Sequence, residues 1–385
     1  MPLRTELADT WQDVAASFRR ALPAILAFAV IRALGLWAVS LEAPSHKVDY
    51  WPLFHSAYDC RWYINVVKDG YDTTVTPLDA WGKLRNPNVT FFPLLPGMMW
   101  LVSKLGFEVH WSGLIVSWSF SLLAAWGIYA VGERLDGRRT GTLLALLWGS
   151  MPHSIVLSMA YTEGVFTALC AFCLLALLDR RWLTAALFCV LAGLTRPTGV
   201  ALVAAVGVSA LLAVFKRQDG YRPWLCGALC PLGFVGWLAW VGQRLGSPTG
   251  YFEAIRKWGS PFDFGKYTLA QIKSIMLVAG KHPLAVIVVM IVLVVAVVLF
   301  AWCIVLRQPL PLLTFSFMVL VLVLGAGGFF HSKARILFPA FPLLLPIAQG
   351  LSRAPRAGAY VTMAGILGCS TVYWVYLRLV WLYSP

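Results

Sequence analysis

Long apolar runs dominate the chain, and polar residues arrive in short clusters between them. Runs at 21–41, 112–132, 141–158, 162–178, 182–195, 198–215, 224–244, 284–306, 311–330, 336–350 and 357–380 are apolar enough to enter a bilayer, whose hydrocarbon core of ~30 Å takes about 20 helical residues. Lipid offers the backbone no hydrogen-bond partners, so runs of this kind must be helices that pack on one another. The pattern predicts an all-α fold, a polytopic transmembrane helical bundle of about eleven crossings, with residues 1–385 as a single integral-membrane unit. The runs at 182–195 and 336–350 are the weakest and suit tilted, broken or re-entrant helices. The first run follows Arg19 and Arg20, exceeds the h-region of a signal peptide and lacks a convincing cleavage site after it, so it reads as a retained anchor.

Charge decides the direction of threading. The piece Phe91–Phe107 is apolar but carries Pro93 and Pro96, which favour a broken or interfacial helix over a clean span. If it does not cross, Arg134, Arg138, Arg139, Arg180, Arg181, Lys216, Arg217, Arg222, Arg307, Arg353 and Arg356 all fall on the inner side, as the positive-inside rule requires. Two long loops, about 42–111 and 245–283, then lie outside with the turns near Thr162, Arg196 and Lys333. The composition is 59% hydrophobic and 12% charged, and the formal charge of +14 resides largely in these short loops, which argues against nucleic acid as a partner. Seven of the eight cysteines lie in apolar runs, so no disulfide framework or metal cluster is implied, and Cys170 and Cys173 read as small packing residues.

The remaining polar clusters gather on the expected outer face. In YDCRWYINVVKDGYD, Tyr58 to Asp72, helical spacing puts Asp59 and Tyr63 on one stripe with Trp62 and Val66 beside them, a short helix lying in the interface. A carboxylate held there can take a proton from a sugar hydroxyl; the alternative is a solvated helix with incidental acids. Arg61 belongs to the same group as a substrate contact, whereas Asp69 and Asp72 flank Gly70 and Tyr71 as turn residues. Tyr161 and Glu163 sit at the mouth of a helix pair, where an acid is either functional or a helix-terminal charge. Arg196, in LTRPTG, either snorkels or binds an anion. His331, Lys333 and Arg335 run against the positive-inside trend, which an anionic ligand or lipid headgroups would explain.

These pieces in this order resemble the PIG-V-like mannosyltransferases of the GT-C class of membrane glycosyltransferases. The resemblance rests on Asp59 followed by Trp62-Tyr63, then Gly70-Tyr71, Phe91-Phe92-Pro93, Pro152 with Ala160-Tyr161-Thr162-Glu163, Arg196 with Gly199, and a weaker echo at Arg335 to Pro339. It covers mainly residues 50–200. Two features depart from it: Tyr58 stands where Trp is frequent, and Cys60-Arg61 follow Asp59 in place of a second acid, so no paired-acid metal motif is present and no cofactor is implied. The resemblance implies transfer of mannose, with inversion, from a polyprenyl-phosphate-mannose donor to a hydroxyl of a lipid-linked glycan acceptor. In that scheme Asp59 is the general base, Arg196, Lys333 and Arg335 receive the leaving phosphate, and Tyr161 and Glu163 orient substrate. A relative moving arabinose or aminoarabinose, and a transporter or lipid flippase, are the rival readings. Transporters place polar groups near the midplane of repeated halves, and no repeat is evident. Abundant Ala, Leu, Val and Arg point to a bacterial plasma membrane, or the ER membrane if the source is eukaryotic.

The threading carries its own test. A cysteine at Thr76 is expected to react with an impermeant thiol reagent added outside intact cells, and one at Arg138 is expected to resist it; the reverse pattern would mean that Phe91–Phe107 crosses.

Overall fold

The computed structural model describes residues 2–79, 82–278 and 280–385, with side chains from residue 13 onward. The described residues form helices joined by turns and irregular segments, with no strands and only isolated bridges such as Phe262 with Ala326. Five helices are long and apolar enough to cross a membrane: Asp13–Glu42, Val109–Asp136, Arg222–Leu245, Leu284–Val305 and Arg356–Leu379. A sixth span results if Phe330–Ile336 and Phe341–Arg353, bent by 79° at their junction, count together. Glu163–Leu178, Trp182–Gly193, Gly199–Phe215 and Leu310–Gly325 are apolar but shorter, so whether they complete crossings depends on their flanking residues. The expected run 141–158 is broken: its helix stops at Gly149 and a separate turn follows at Ser154–Ser158. Leu94–Ser103 has ten residues, about 15 Å of helix, too short to cross alone. Apolar side chains such as Ile291, Val294, Val298 and Trp302 stay exposed along Leu284–Val305, as on a surface that faces lipid. The chain is an integral membrane protein.

Packing is closest where small residues let backbones touch. A Cβ on Gly132 would lie 2.6 Å from the Cα of Gly141, and one on Gly127 would lie 2.8 Å from the Cβ of Ala171. These contacts bind Val109–Asp136 to Arg138–Gly149 and Glu163–Leu178 at the centre of the bundle. Cys170, Cys173 and Cys189 are buried among them as free thiols. Cys60 is buried too, although its place in the first long loop suggests exposure.

The break after Gly149 would strand backbone carbonyls away from water, and side chains from distant helices take them up. Arg32 donates to the carbonyls of Gly149 and Ser154, Ser370 Oγ donates to Ser150 O at 2.6 Å, and Trp374 Nε1 to Met151 O at 3.1 Å. Irregular backbone at membrane depth is tolerable only when satisfied in this way. Solvated ion pairs mark the far end of the central helices: Arg20 with Glu133, Arg134 with Asp179 and Arg353 with Asp136.

In the first long loop, Asp72 receives both Nη1 and Nη2 of Arg85, at 3.0 and 2.5 Å, and the backbone N–H of Asn88 at 2.7 Å. Asp72 therefore organises the loop rather than merely turning it. Asn88 heads an Asn-Val-Thr sequence of the kind glycosylated in secreted loops, but it is 2% exposed and its Nδ2 donates to Gly70 O at 2.9 Å.

Close approach predicts which glycines resist substitution. A Cβ on Gly233 would sit 1.9 Å from the carbonyl oxygen of Val190, whereas one on Gly236 meets nothing within 4 Å. Gly233→Ala is expected to lower stability by about 1–3 kcal/mol and Gly236→Ala to leave it unchanged or slightly raised, read by thermal unfolding in detergent.

Candidate active site

The helix Asp59–Asp69 begins abruptly. Tyr58 precedes it at φ 52°, ψ −121°, a backbone region that costs a non-glycine residue roughly 1–3 kcal/mol. Its ring packs against the Arg378 guanidinium, which also donates to Leu53 O. The strained residue is thus held against Arg378, and the helix starts with Asp59 on the lining of a cleft. That cleft has a volume of about 880 Å³ and is walled by this helix, by Phe91 and Trp258, and by the segment 326–336.

Helical spacing then separates two faces. Cys60, Tyr63 and Ile64 are buried against the bundle, while Asp59, Arg61, Trp62 and Asn65 line the cleft. Tyr63 does not share the cleft face with Asp59, contrary to the spacing argument. Burial, with Asp59 and Glu163 close by, pushes its hydroxyl pKa up, so Tyr63 stays protonated and backs the site from behind. Cys60 is likewise held as a neutral thiol by burial. Arg61 donates through Nε to Ser56 O at 3.0 Å and is exposed.

At the inner end of the cleft four charges form a chain. Arg335 Nη1 lies 2.7 Å from Asp59 Oδ2, Arg335 Nε lies 3.5 Å from Glu163 Oε1, and Arg196 Nη1 lies 3.2 Å from the same oxygen. The Glu163 side chain is 3% exposed and that of Asp59 27%. Both arginines converge on one oxygen of Glu163 outside hydrogen-bond geometry, and its Oε2 has no partner. The Arg335 guanidinium also sits 4.9 Å from the centre of the Tyr161 ring. Ser384 closes the arrangement, bonding Tyr161 Oη at 3.1 Å and accepting from Arg335 Nη1 at 3.0 Å. Thr162 gives no side-chain cap to the helix that Glu163 opens, so the acid is held chiefly by the arginines.

The other expected cations divide. His331 lines the cleft, surrounded by Phe329, Trp381 and Tyr383 at ring separations of 5.6 to 6.1 Å. Lys333 is 1% exposed. It borders the cleft, and its Nζ donates to Val323 O at 2.6 Å and Ala326 O at 2.5 Å, so backbone carbonyls hold its cation. Arg196 lies behind Glu163 and outside the cleft lining. Among the described residues no three His, Cys, Asp or Glu side chains converge as a metal site. Sequence reading missed Trp258, Asn65 and Ser384. Asn65 was accessible to it, since Asp59, Trp62 and Asn65 recur every third residue.

No protein-family model matches the sequence, and no curated protein matches it. Solved structures do. ArnT from Cupriavidus metallidurans bound to undecaprenyl phosphate superposes with TM-score 0.55 at 13% identity, over 90% of this chain and 63% of that one. The Archaeoglobus fulgidus oligosaccharyltransferase in the apo form gives 0.54 at 13% identity, over 94% and 56%. The archaeal oligosaccharyltransferase AglB from the same organism, in complex with an inhibitory peptide and a dolichol-phosphate, gives 0.53 at 12%, over 96% and 57%. The chain spans less than two thirds of the length of each of these structures. At such identities the likeness is one of fold: the chain shares the helical architecture of ArnT and of the archaeal oligosaccharyltransferase.

The ion chain predicts a difference between its two acids. Glu163→Gln leaves Arg196 and Arg335 facing each other without the central charge and is expected to lose about 3–5 kcal/mol, the usual cost of breaking a buried pair. Asp59→Asn, at the solvent edge, is expected to lose clearly less in the same unfolding measurement.

Proposed function

We propose that the chain transfers mannose from a polyprenyl-phosphate-mannose donor to a hydroxyl of a lipid-linked glycan acceptor, with inversion, on the outer face of a bacterial plasma membrane. The observation that carries the reading is the Asp59–Arg335 pair at 2.7 Å on the wall of the large cleft, in a fold of the GT-C type. A carboxylate able to act as the base and a cation able to meet a leaving phosphate both line the cleft, the two groups that displacement at an anomeric carbon calls for.

Asp59 meets Arg335 through Oδ2, which leaves Oδ1 for the acceptor hydroxyl. As the acceptor oxygen bonds to the anomeric carbon, its proton passes to Asp59, the bond from that carbon to the phosphate oxygen breaks, and polyprenyl phosphate departs with the electron pair. Arg335 faces the charge that develops on the phosphate, and fixed cationic donors of this kind supply the larger part of stabilisation in a dry site. Arg196 and Glu163 hold Arg335 in place from below. The donor's lipid tail has a suitable berth in an apolar groove of about 260 Å³ lined by Leu147, Ile291, Val295, Leu337 and Phe338. One wall of that groove, Leu337 and Phe338, follows directly in sequence on Ile336, which lines the cleft. The structures of ArnT bound to undecaprenyl phosphate and of AglB in complex with a dolichol-phosphate support a carrier of that class, while the choice of mannose rests on the sequence resemblance.

Two variants test the roles. Asp59→Asn is expected to bind the donor like the unaltered protein but to transfer mannose about 100- to 10,000-fold more slowly; near-normal transfer by a well-folded variant would remove Asp59 as the base. Arg335→Ala is expected to weaken apparent donor affinity more than Arg335→Lys, which keeps the charge but loses the planar donor fork; unchanged donor dependence in both would take Arg335 out of the site.

A further inference from the structure

The cleft has a feature that neither the base nor the phosphate contact uses. Three aromatic rings from separate parts of the chain meet on one wall: Trp62 of the Asp59–Asp69 helix, Phe91 further along the same loop and Trp258 from the second loop. Trp62 and Phe91 are nearly parallel, 13° apart with centres 5.7 Å distant. Trp258 stands edge-on to both, at 5.0 and 5.5 Å, and its Nε1 donates to Pro87 O at 2.9 Å, which fixes its rotation. Asn65, Thr90 and Ser260 border the rings on the same cleft lining. Trp62 lies one helical step of three residues from Asp59, about 4.5 Å along the axis.

We propose that this wall is the acceptor's sugar subsite and that its ligand is the terminal pyranose ring of a glycan. The ring's apolar C–H face would lie on the aromatic surface, and its hydroxyls would meet Asn65 and Thr90. A polyprenyl chain needs no hydrogen-bonding neighbours, and the separate groove at Leu147 and Phe338 supplies an all-apolar lining. A pyranose needs both an apolar surface and a polar border, and this lining sets three rings beside Asn65, Thr90 and Ser260, with the Arg85 guanidinium 6.0 Å from the centre of the Trp62 ring. The spacing along the helix brings a sugar seated on Trp62 within reach of the free Oδ1 of Asp59. The proposal deepens the transfer reading and rests on it only for the word acceptor.

Saturation-transfer NMR on the purified protein, in a detergent without a sugar headgroup, tests it with methyl α-mannopyranoside and methyl β-glucopyranoside as probes. Saturation is expected on the ring C–H protons of at least one glycoside. It should fall about two- to tenfold in Trp62→Leu and Trp258→Leu, the range for aromatic contacts. Trp258→Phe, which keeps a ring, should retain most of it and guards against misfolding as the cause. Arg335→Lys, which keeps a cation beside Asp59 and Glu163, should retain the signal while weakening polyprenyl-phosphate binding, so failure of the transfer reading shows separately. Absence of glycoside saturation in the unaltered protein, or saturation indifferent to both leucine variants, overturns the subsite. Saturation of farnesol instead, lost in those variants, gives the wall to the lipid chain and also overturns it.

Discussion

A polar site in a membrane bundle requires helices to stop short of full length, and each stop exposes carbonyls that lipid cannot satisfy. This constraint shapes the molecule more than any single contact. The helix ending at Gly149 makes room for the segment that carries Tyr161 and Glu163, and that ending is possible because Arg32, Ser370 and Trp374 reach across to its open carbonyls. Ser117 Oγ donates to Tyr161 O at 2.8 Å, and Ala160 N–H donates to Phe54 O at 2.9 Å. The irregular stretch is therefore cross-linked to the first and last long helices and to the turn ahead of Tyr58. The position of Asp59 depends on the same cross-links, because Ala160 and Arg378 both bond the segment from which its helix departs.

The second constraint is charge in a medium of low dielectric. An isolated buried acid would take up a proton to escape ionisation. Here Asp59, Arg335, Glu163 and Arg196 alternate in sign and sum to zero, so each ion has a partner although hydrogen-bond geometry is imperfect. Exposure rises along the chain from Glu163 to Asp59. The interior members serve as fixed scaffold, and the outermost acid is the one an incoming molecule can reach.

Helix existence was legible in the sequence wherever apolar runs were long, because the backbone has no other option in lipid. Span number was less so, since a run such as 141–158 keeps its apolar character through a break that only tertiary partners make tolerable. At the site, residue types pointed to Asp59, Tyr161, Glu163, Arg196 and Arg335, and the fold brings these together from four distant segments. Periodicity misjudged Tyr63 because an apolar aromatic and a cleft-facing one look alike until the burial face is known. At Lys333 residue type could not show that the cation also serves backbone carbonyls, because those come from the end of another helix. Trp258 was out of reach, since no local pattern tells which loop folds over another.

The two faces of the Asp59–Asp69 helix also bear on how such a protein can change. Its inner face, Cys60, Tyr63 and Ile64, is tied to the packing of the whole bundle, so alterations there are screened first by folding. Its outer face, with Trp62 and Asn65 lining open space, can vary with much weaker consequences for the bundle. A single eleven-residue helix thus separates heritable variation in cleft shape from variation in stability. That leaves a route by which descendants of one ancestral chain could diverge in what they accept while keeping the same carboxylate in the same place.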